Sequence, residues 1–349
     1  MHSQLSDSLL AWYDRHHRQL PWRVPPGGGL ADPYFVWLSE IMLQQTTVAA
    51  VKEYFLKFTR TWPDVHALAD ADLEDVLKAW AGLGYYARAR NLHKCAKMVS
   101  HEYYGQFPRT AGELQKLPGI GPYTSAAIAA IAFGEPVAAV DGNVGRVLAR
   151  YYALDTPLPA LKAVVKDYAE ALVPQQRSGD FAQAVMDLGA TICAPRKANC
   201  LICPWADGCK GRTLGIAETL PRKAPKKAKP TRRGVCFWAE HEDGAVLLRR
   251  RPERGLLGGM TEIPSTDWSE TGPASPKEQA PVSGSWNALT GTVSHTFTHF
   301  HLELSVWKLS APAASEAPED HRWVRKPDLA GEALPSVMRK VVAHVLGKA

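Results

Sequence analysis

The sequence predicts a multidomain chain in which an all-α domain precedes a small α+β domain. Its 349 residues exceed one ordinary hydrophobic core. Apolar residues recur at helical spacing from residue 1 to about 190, whereas after Gly234 the pattern changes to the hairpins and period-two alternation of strands. The 46% hydrophobic and 22% charged content is that of a folded globular protein. No run approaches the roughly 18 consecutive apolar residues of a membrane span.

The first domain is expected over 1–215. Helices are predicted over Pro33–Phe58, Leu73–Ala81, Ala87–Glu102, Thr124–Ala132, Val144–Tyr152, Leu161–Leu172 and Asp180–Leu188, with Pro or Gly in the gaps. Residues 216–233 read as the linker, and LPRKAPKKAKPTRRG, 220–234, has no apolar periodicity. Arg222, Lys223, Lys226, Lys227, Lys229, Arg232 and Arg233 make that stretch basic without one acid. A solvated linker explains such a run, and a segment that follows a phosphate backbone fits it too.

The second domain, 234–349, opens on VCFWAE and AVLLRR around a turn at His241–Gly244. In FHLELSVW, Phe300, Leu302, Leu304 and Val306 alternate with His301, Glu303, Ser305 and Trp307, as in a strand with one buried face. A helix over about Pro335–Leu346 closes the chain, and residues 265–290, rich in Ser, Pro, Gly and Glu, read as a mobile loop.

Three stretches carry chemistry. In VWLSEIMLQQT, Glu40 stands one helical turn from Val36, Trp37, Leu43 and Gln44. A carboxylate there is costly unless paired with an arginine or kept protonated for a task, since apolar surroundings disfavour the charged form. In CAPRKANCLICPWADGC, four of the six cysteines, Cys193, Cys200, Cys203 and Cys209, are spaced C-x6-C-x2-C-x5-C. That clustering points to metal over disulfides; zinc and an iron–sulfur cluster both accept four thiolates, and the wide first spacing suits the bulkier cluster. Cys95 and Cys236 read as ordinary buried residues. In LPGIGPYTSAAIAAIAFG, Gly119 and Gly121 allow a tight turn between two helices, 111–134 in all, whose backbone N–H groups and helix N-terminus suit a phosphate. Asp141 follows in VDGNVGRVLARYYAL, at a helix start where a plain N-cap is the simplest role.

Together these motifs resemble the endonuclease III superfamily of DNA glycosylases, in the order hairpin, VDGNV helix and cysteine loop. LPWR at 20–23, SEIMLQQT and GLGYYARARNL at 82–92 resemble its adenine glycosylases of the MutY type. GLLGGMTEIP at 255–264 and VSHTFTHFHLEL at 293–304 are similar to the Nudix-like domain of that family, and the likeness covers nearly the whole chain. It implies an all-α helix–hairpin–helix glycosylase domain with an iron–sulfur loop, followed by a small α+β Nudix-like domain. It also implies a [4Fe–4S] cluster on the four cysteines that supports the fold and does not break the bond.

The resemblance further implies a monofunctional enzyme removing adenine opposite 8-oxoguanine, or guanine, in double-stranded DNA. Lyase members carry a lysine at the position of Tyr123, and a phenol forms no Schiff base. Glu40 would then protonate adenine N7 and activate water, and Asp141, kept ionised by helix N–H donors, would face the cationic sugar. Tyr123 and Asn143 would orient these groups, Gln45 and Tyr85 would fill or wedge the opened duplex, and Trp22 and Arg23 would line the adenine pocket. Gly119 and Gly121 would hold DNA backbone, while Thr298 and His299 would read 8-oxoguanine. Two departures stand out: Thr261 replaces the family's tryptophan, and Phe297-Thr298-His299 replaces F-S-H. An endonuclease III-like glycosylase/lyase, a non-catalytic iron–sulfur DNA-binding protein and a nucleotide hydrolase are the competing functions. The Nudix hydrolase helix is absent after Pro264, which argues against the last. The start shows no basic region followed by an apolar segment, so a cytoplasmic protein with no membrane partner is expected; it is expected to be a monomer and nucleoid-associated when bound to DNA.

Overall fold

The computed structural model describes residues 2–223, 228–252, 255–312 and 316–347. It divides into two compact units, Met1–Leu73 with Arg88–Pro225, and Glu74–Ala87 with Lys226–Ala349. Lys226 and Lys227 of the basic stretch lie outside the described residues.

The helices up to residue 114 are α1 (His2–His16), α2 (Pro33–Leu43), α3 (Val48–Thr61), α4 (Val65–Asp70), α5 (Leu73–Trp80), α6 (Ala87–Glu102) and α7 (Ala111–Leu114). After them come α8 (Pro122–Phe133), α9 (Gly142–Tyr151), α10 (Leu161–Glu170), α11 (Ser178–Asp187) and α12 (Lys210–Thr213). The single helix expected over Pro33–Phe58 is two. Gln45 adopts a left-handed conformation, φ 57°, which ends α2, and Thr47 restarts the chain as the N-cap of α3, accepting from the Ala50 N–H. Three helices, α1, α4 and α12, fall outside those ranges, and α4 and α12, of six and four residues, are too short to show a period.

In the first unit α8 is buried on all sides, Ala126 to Ala132 included, as an all-apolar helix must be. Its small side chains let α2 and α11 pack closely on it. At the contact with α11, a Cβ on Gly179 would come 2.6 Å from the Ala130 carbonyl oxygen, so only glycine fits.

The second unit is built on a mixed sheet of β1 (Thr231–His241), β2 (Ala245–Arg250), β3 (Thr261–Glu262), β4 (Asn287–Thr296), β5 (His301–Ala311) and β6 (His321–Arg325). Strand β1 runs parallel to β5 along its length and joins β2 in the expected hairpin. Strand β2 pairs antiparallel with β3 and β6, and β4 pairs antiparallel with β5. Leu302, Leu304 and Val306 of β5 meet Val337, Met338 and Val341 of α13 (Ser336–Val345) in one core. The 265–290 segment is not free of the sheet. Ser265 and Ser269 bridge to Cys236 and Arg233 of β1, Ser265 and Thr266 are buried, and Trp286 packs edge-on against Phe237.

Candidate active site

One cavity of about 550 Å³ in the first unit gathers seven of the residues singled out in sequence: Trp22, Arg23, Glu40, Gln45, Tyr123, Asp141 and Asn143. They arrive from several elements, each for a local reason. Glu40 sits on α2, whose N-cap Asp32 accepts from the Tyr34 N–H at 2.8 Å and whose core-facing residues include Trp37, Leu38 and Met42. Tyr123 is carried in by the first turn of α8, and Asp141 by the N-cap position of α9.

Glu40 is only 7% exposed. Burial is the main cause that pushes its carboxyl up to about 7; the Tyr123 hydroxyl and Arg23 act against the shift, while the charge of Asp141 adds to it. Tyr123 is held well above its ordinary value, again chiefly by burial, so the phenol stays protonated. Asp141 does cap its helix: one oxygen accepts the Val144 N–H at 2.7 Å and the other the Asn143 side-chain amide at 2.8 Å. Burial nonetheless raises its carboxyl, with these two hydrogen bonds opposing the rise. The site therefore holds two carboxyls, one deeply desolvated and one tied to N–H donors.

Gln44 and Thr46 also line the cavity. Sequence reasoning missed Arg18, Gln183 and Asp187; the first two line the cavity, and Asp187 lies behind it with no exposed side chain. Asp187 accepts from Arg18 Nε at 2.5 Å and Arg23 Nη1 at 2.7 Å. The signal was present: Asp187 is a lone carboxylate in the apolar run FAQAVMDLG, the same anomaly that singled out Glu40. Glu40 itself has no arginine ion pair among the described residues, because the nearby Arg23 is held by Asp187.

Asn143 links this cavity to the cysteine loop. Its carbonyl oxygen accepts from Arg146 Nη2 at 2.8 Å, while Arg146 Nε donates to the Cys193 carbonyl at 2.9 Å. Arg150, one turn further along α9 and almost fully buried, donates to Cys193 Sγ at 3.3 Å and to the Ala194 carbonyl at 2.8 Å. Cys193, Cys200, Cys203 and Cys209 border one small cavity with Arg150. Four thiols around one cavity, with a guanidinium donating to one of them, are a donor set that fits a thiolate-ligated, anionic metal centre. Arg196 and Lys197 are exposed on this loop.

At the hairpin, Gly119 has φ 79°, and a Cβ there would meet Asn91 Cβ at 2.8 Å. Gly121 caps α8 without a side-chain bond, so no side chain competes for the N–H groups of the first turn.

In the second unit, Tyr85 is half exposed at φ 49°, and its hydroxyl lies 3.5 Å from Thr298 Oγ1. Thr298 and His299 are exposed between β4 and β5, and Phe297 beside them packs on Phe300 and His295. Thr261 is buried on β3 opposite Arg250. The next residue, Glu262, is fully buried and paired with Arg249 and Arg251.

Comparison with known proteins agrees with both units. Residues 38–174 match the model of the HhH-GPD superfamily of base excision DNA repair proteins, and residues 235–344 match that of the NUDIX domain. The chain is 35% identical to the adenine DNA glycosylase of Homo sapiens, covering 96% of this chain and 72% of that protein. It is 33% identical to the adenine DNA glycosylase of Buchnera aphidicola, over 97% of both. Among solved structures, a thermostable thymine-DNA glycosylase superposes with a TM-score of 0.54 at 30% identity, covering 61% of this chain and 97% of that one. Similarity of this extent over two thirds or more of full-length relatives means that the chain belongs to the adenine DNA glycosylase family.

Proposed function

We propose that this chain hydrolyses the N-glycosidic bond of adenine paired with 8-oxoguanine, and less efficiently with guanine, in duplex DNA. The observation that carries the proposal is the pair of carboxyls on one cavity, Glu40 with its proton held to about pH 7 and Asp141 bound by N–H donors. Adenine is a poor leaving group as an anion, and protonation at N7 removes that difficulty. Glu40 donates the proton, the C–N bond breaks, and Asp141 offsets the positive charge on the sugar. The Glu40 carboxylate then takes a proton from the attacking water, which restores the acid and leaves an abasic site. Tyr123 lacks an amine to open that site, so the strand stays intact.

Cys193, Cys200, Cys203 and Cys209 would hold a [4Fe–4S] cluster, which supplies cross-linking of the 193–209 loop and takes no part in bond breaking. The hairpin glycines, Gly119 and Gly121, would meet DNA phosphates, with Gln45 and Tyr85 entering the opened duplex. Trp22 and Arg23 would line the adenine pocket, and Thr298 with His299 would contact 8-oxoguanine, threonine keeping the hydroxyl of F-S-H. Incubation with a duplex containing A:8-oxoguanine, followed by alkali, tests the activity. A break at the adenine is expected after alkali and not before; absence of an alkali-labile site removes the proposal.

A further inference from the structure

The turn between α2 and α3 forms part of the wall of the Glu40 cavity through Gln44, Gln45 and Thr46. It is a costly turn. Gln45 is left-handed without being glycine, and α2 ends with no basic residue in its last turn and with a non-helical cap at Gln44. The exposed ends of its last carbonyls and the bend after them therefore need support from elsewhere.

Arg88, on α6 and 9% exposed, supplies that support. Its Nη1 donates to the Ile41 carbonyl at 3.0 Å and the Met42 carbonyl at 2.9 Å, and its Nη2 donates to Thr46 Oγ1 at 3.2 Å. The Thr46 hydroxyl in turn donates to the Gln44 carbonyl at 3.3 Å. One planar guanidinium thus clamps the turn before and after Gln45, and its charge opposes the negative end of α2. Gln44 is fixed from the other side, donating to Thr124 Oγ1 at 3.3 Å. Arg88 itself is not part of the cavity wall.

We infer that Arg88 is a positioning residue that holds the Gln44–Thr46 turn in its left-handed form and thereby governs entry of the target base into the cavity, leaving proton transfer at Glu40 untouched. The inference rests on the proposed glycosylase reaction for its second half only. Holding the turn is a property of the protein without DNA, and entry is a step that an already unpaired base largely bypasses.

The test uses the full-length, cluster-containing protein and the substitutions Arg88→Met and Arg88→Lys. Amide hydrogen exchange at residues 43–47 should rise about tenfold or more in Arg88→Met, with α8 unchanged. Lysine, a point charge without the planar fork, should restore part of the protection. Single-turnover excision from A:8-oxoguanine duplex should slow about tenfold, against less than about threefold for the same adenine in a one-nucleotide bulge, with the pH midpoint unmoved. Unchanged exchange at 43–47 overturns the clamp. Equal loss on duplex and bulge, or a displaced pH midpoint, overturns the entry role. If Arg88→Met does not fold, Thr46→Val, which removes only the hydroxyl link, is measured in the same way. A wild-type protein inactive on both DNAs counts against the glycosylase proposal, while the exchange result still decides the clamp.

Discussion

Asp187 accepts Arg23 Nη1 at 2.7 Å from a position without solvent exposure, so the cation nearest Glu40 is already matched by an anion. The consequence is electrostatic: Arg23 lowers the Glu40 carboxyl only in part, and burial prevails. Asp187→Asn keeps the shape and removes the charge. Breaking a buried pair in this way typically costs about 3–5 kcal/mol, so the melting temperature should fall clearly. With Arg23 unbalanced, ionised Glu40 is favoured, and the pH above which excision fails should move below that of the wild type. Melting curves and single-turnover pH profiles check both.

Glu40 acts as an acid in the proposed reaction, so its protonated form is the active one. Excision should fall as pH rises through a midpoint near 7, and fall again at low pH as Asp141, whose charge offsets the cationic sugar, becomes protonated. The folded-state value lies above the ordinary carboxyl value of 4.5, so burial of Glu40 is harmless at low pH. Stability is then lost as pH rises from that value through about 7. Glu40→Gln should abolish excision and leave duplex binding intact. It should also melt higher than wild type at pH 8, by an amount on the order of 2–3 kcal/mol at most, with the difference vanishing near pH 4.

Asp141 both caps α9 and carries charge, and one substitution separates the two. Asparagine still accepts from the Val144 N–H, so Asp141→Asn should melt within about 1 kcal/mol of wild type. Excision should nonetheless fall by about a thousandfold if the charge offsets the cationic sugar. A melting temperature that drops together with the rate would assign Asp141 to capping alone.

Arg150 donates to one cysteine sulfur and to the carbonyls of Ala194 and Pro195, which fixes the start of the cysteine loop. Arg150→Gln should lower the iron and sulfide bound per chain. Because Arg146 spans from Cys193 to Asn143, and Asn143 to Asp141, loss of the cluster should weaken excision even though no cysteine reaches the cavity. Metal analysis and single-turnover assays on the same preparations check the link.

The sequence was most legible where local chemistry and period agree. The hairpin glycines, the α9 cap at Asp141, the β1–β2 turn and the alternation of β5 each follow from a few neighbouring residues. The break after Leu43 was not legible, because the apolar period runs on through α3 and the hydrogen bonds that flank the bend come from Arg88, more than forty residues away. The Asp187 pairs were hidden for a similar reason: which of the chain's arginines turns to a buried acid is a tertiary fact. The anchoring of 265–269 also escaped composition, since Ser and Thr there hydrogen-bond to β1 and do not simply meet solvent.

Gln45, Tyr85 and Lys197 share a left-handed backbone that glycine would adopt without penalty. A chain that needed only the bends would gain from glycine at all three. Replacing Gln45 with glycine should therefore make the protein easier to keep folded and poorer at its work, since what the strained bend delivers is an aimed side chain. At Gln45, heat tolerance and the proposed capture of the target base draw on one backbone position in opposite directions.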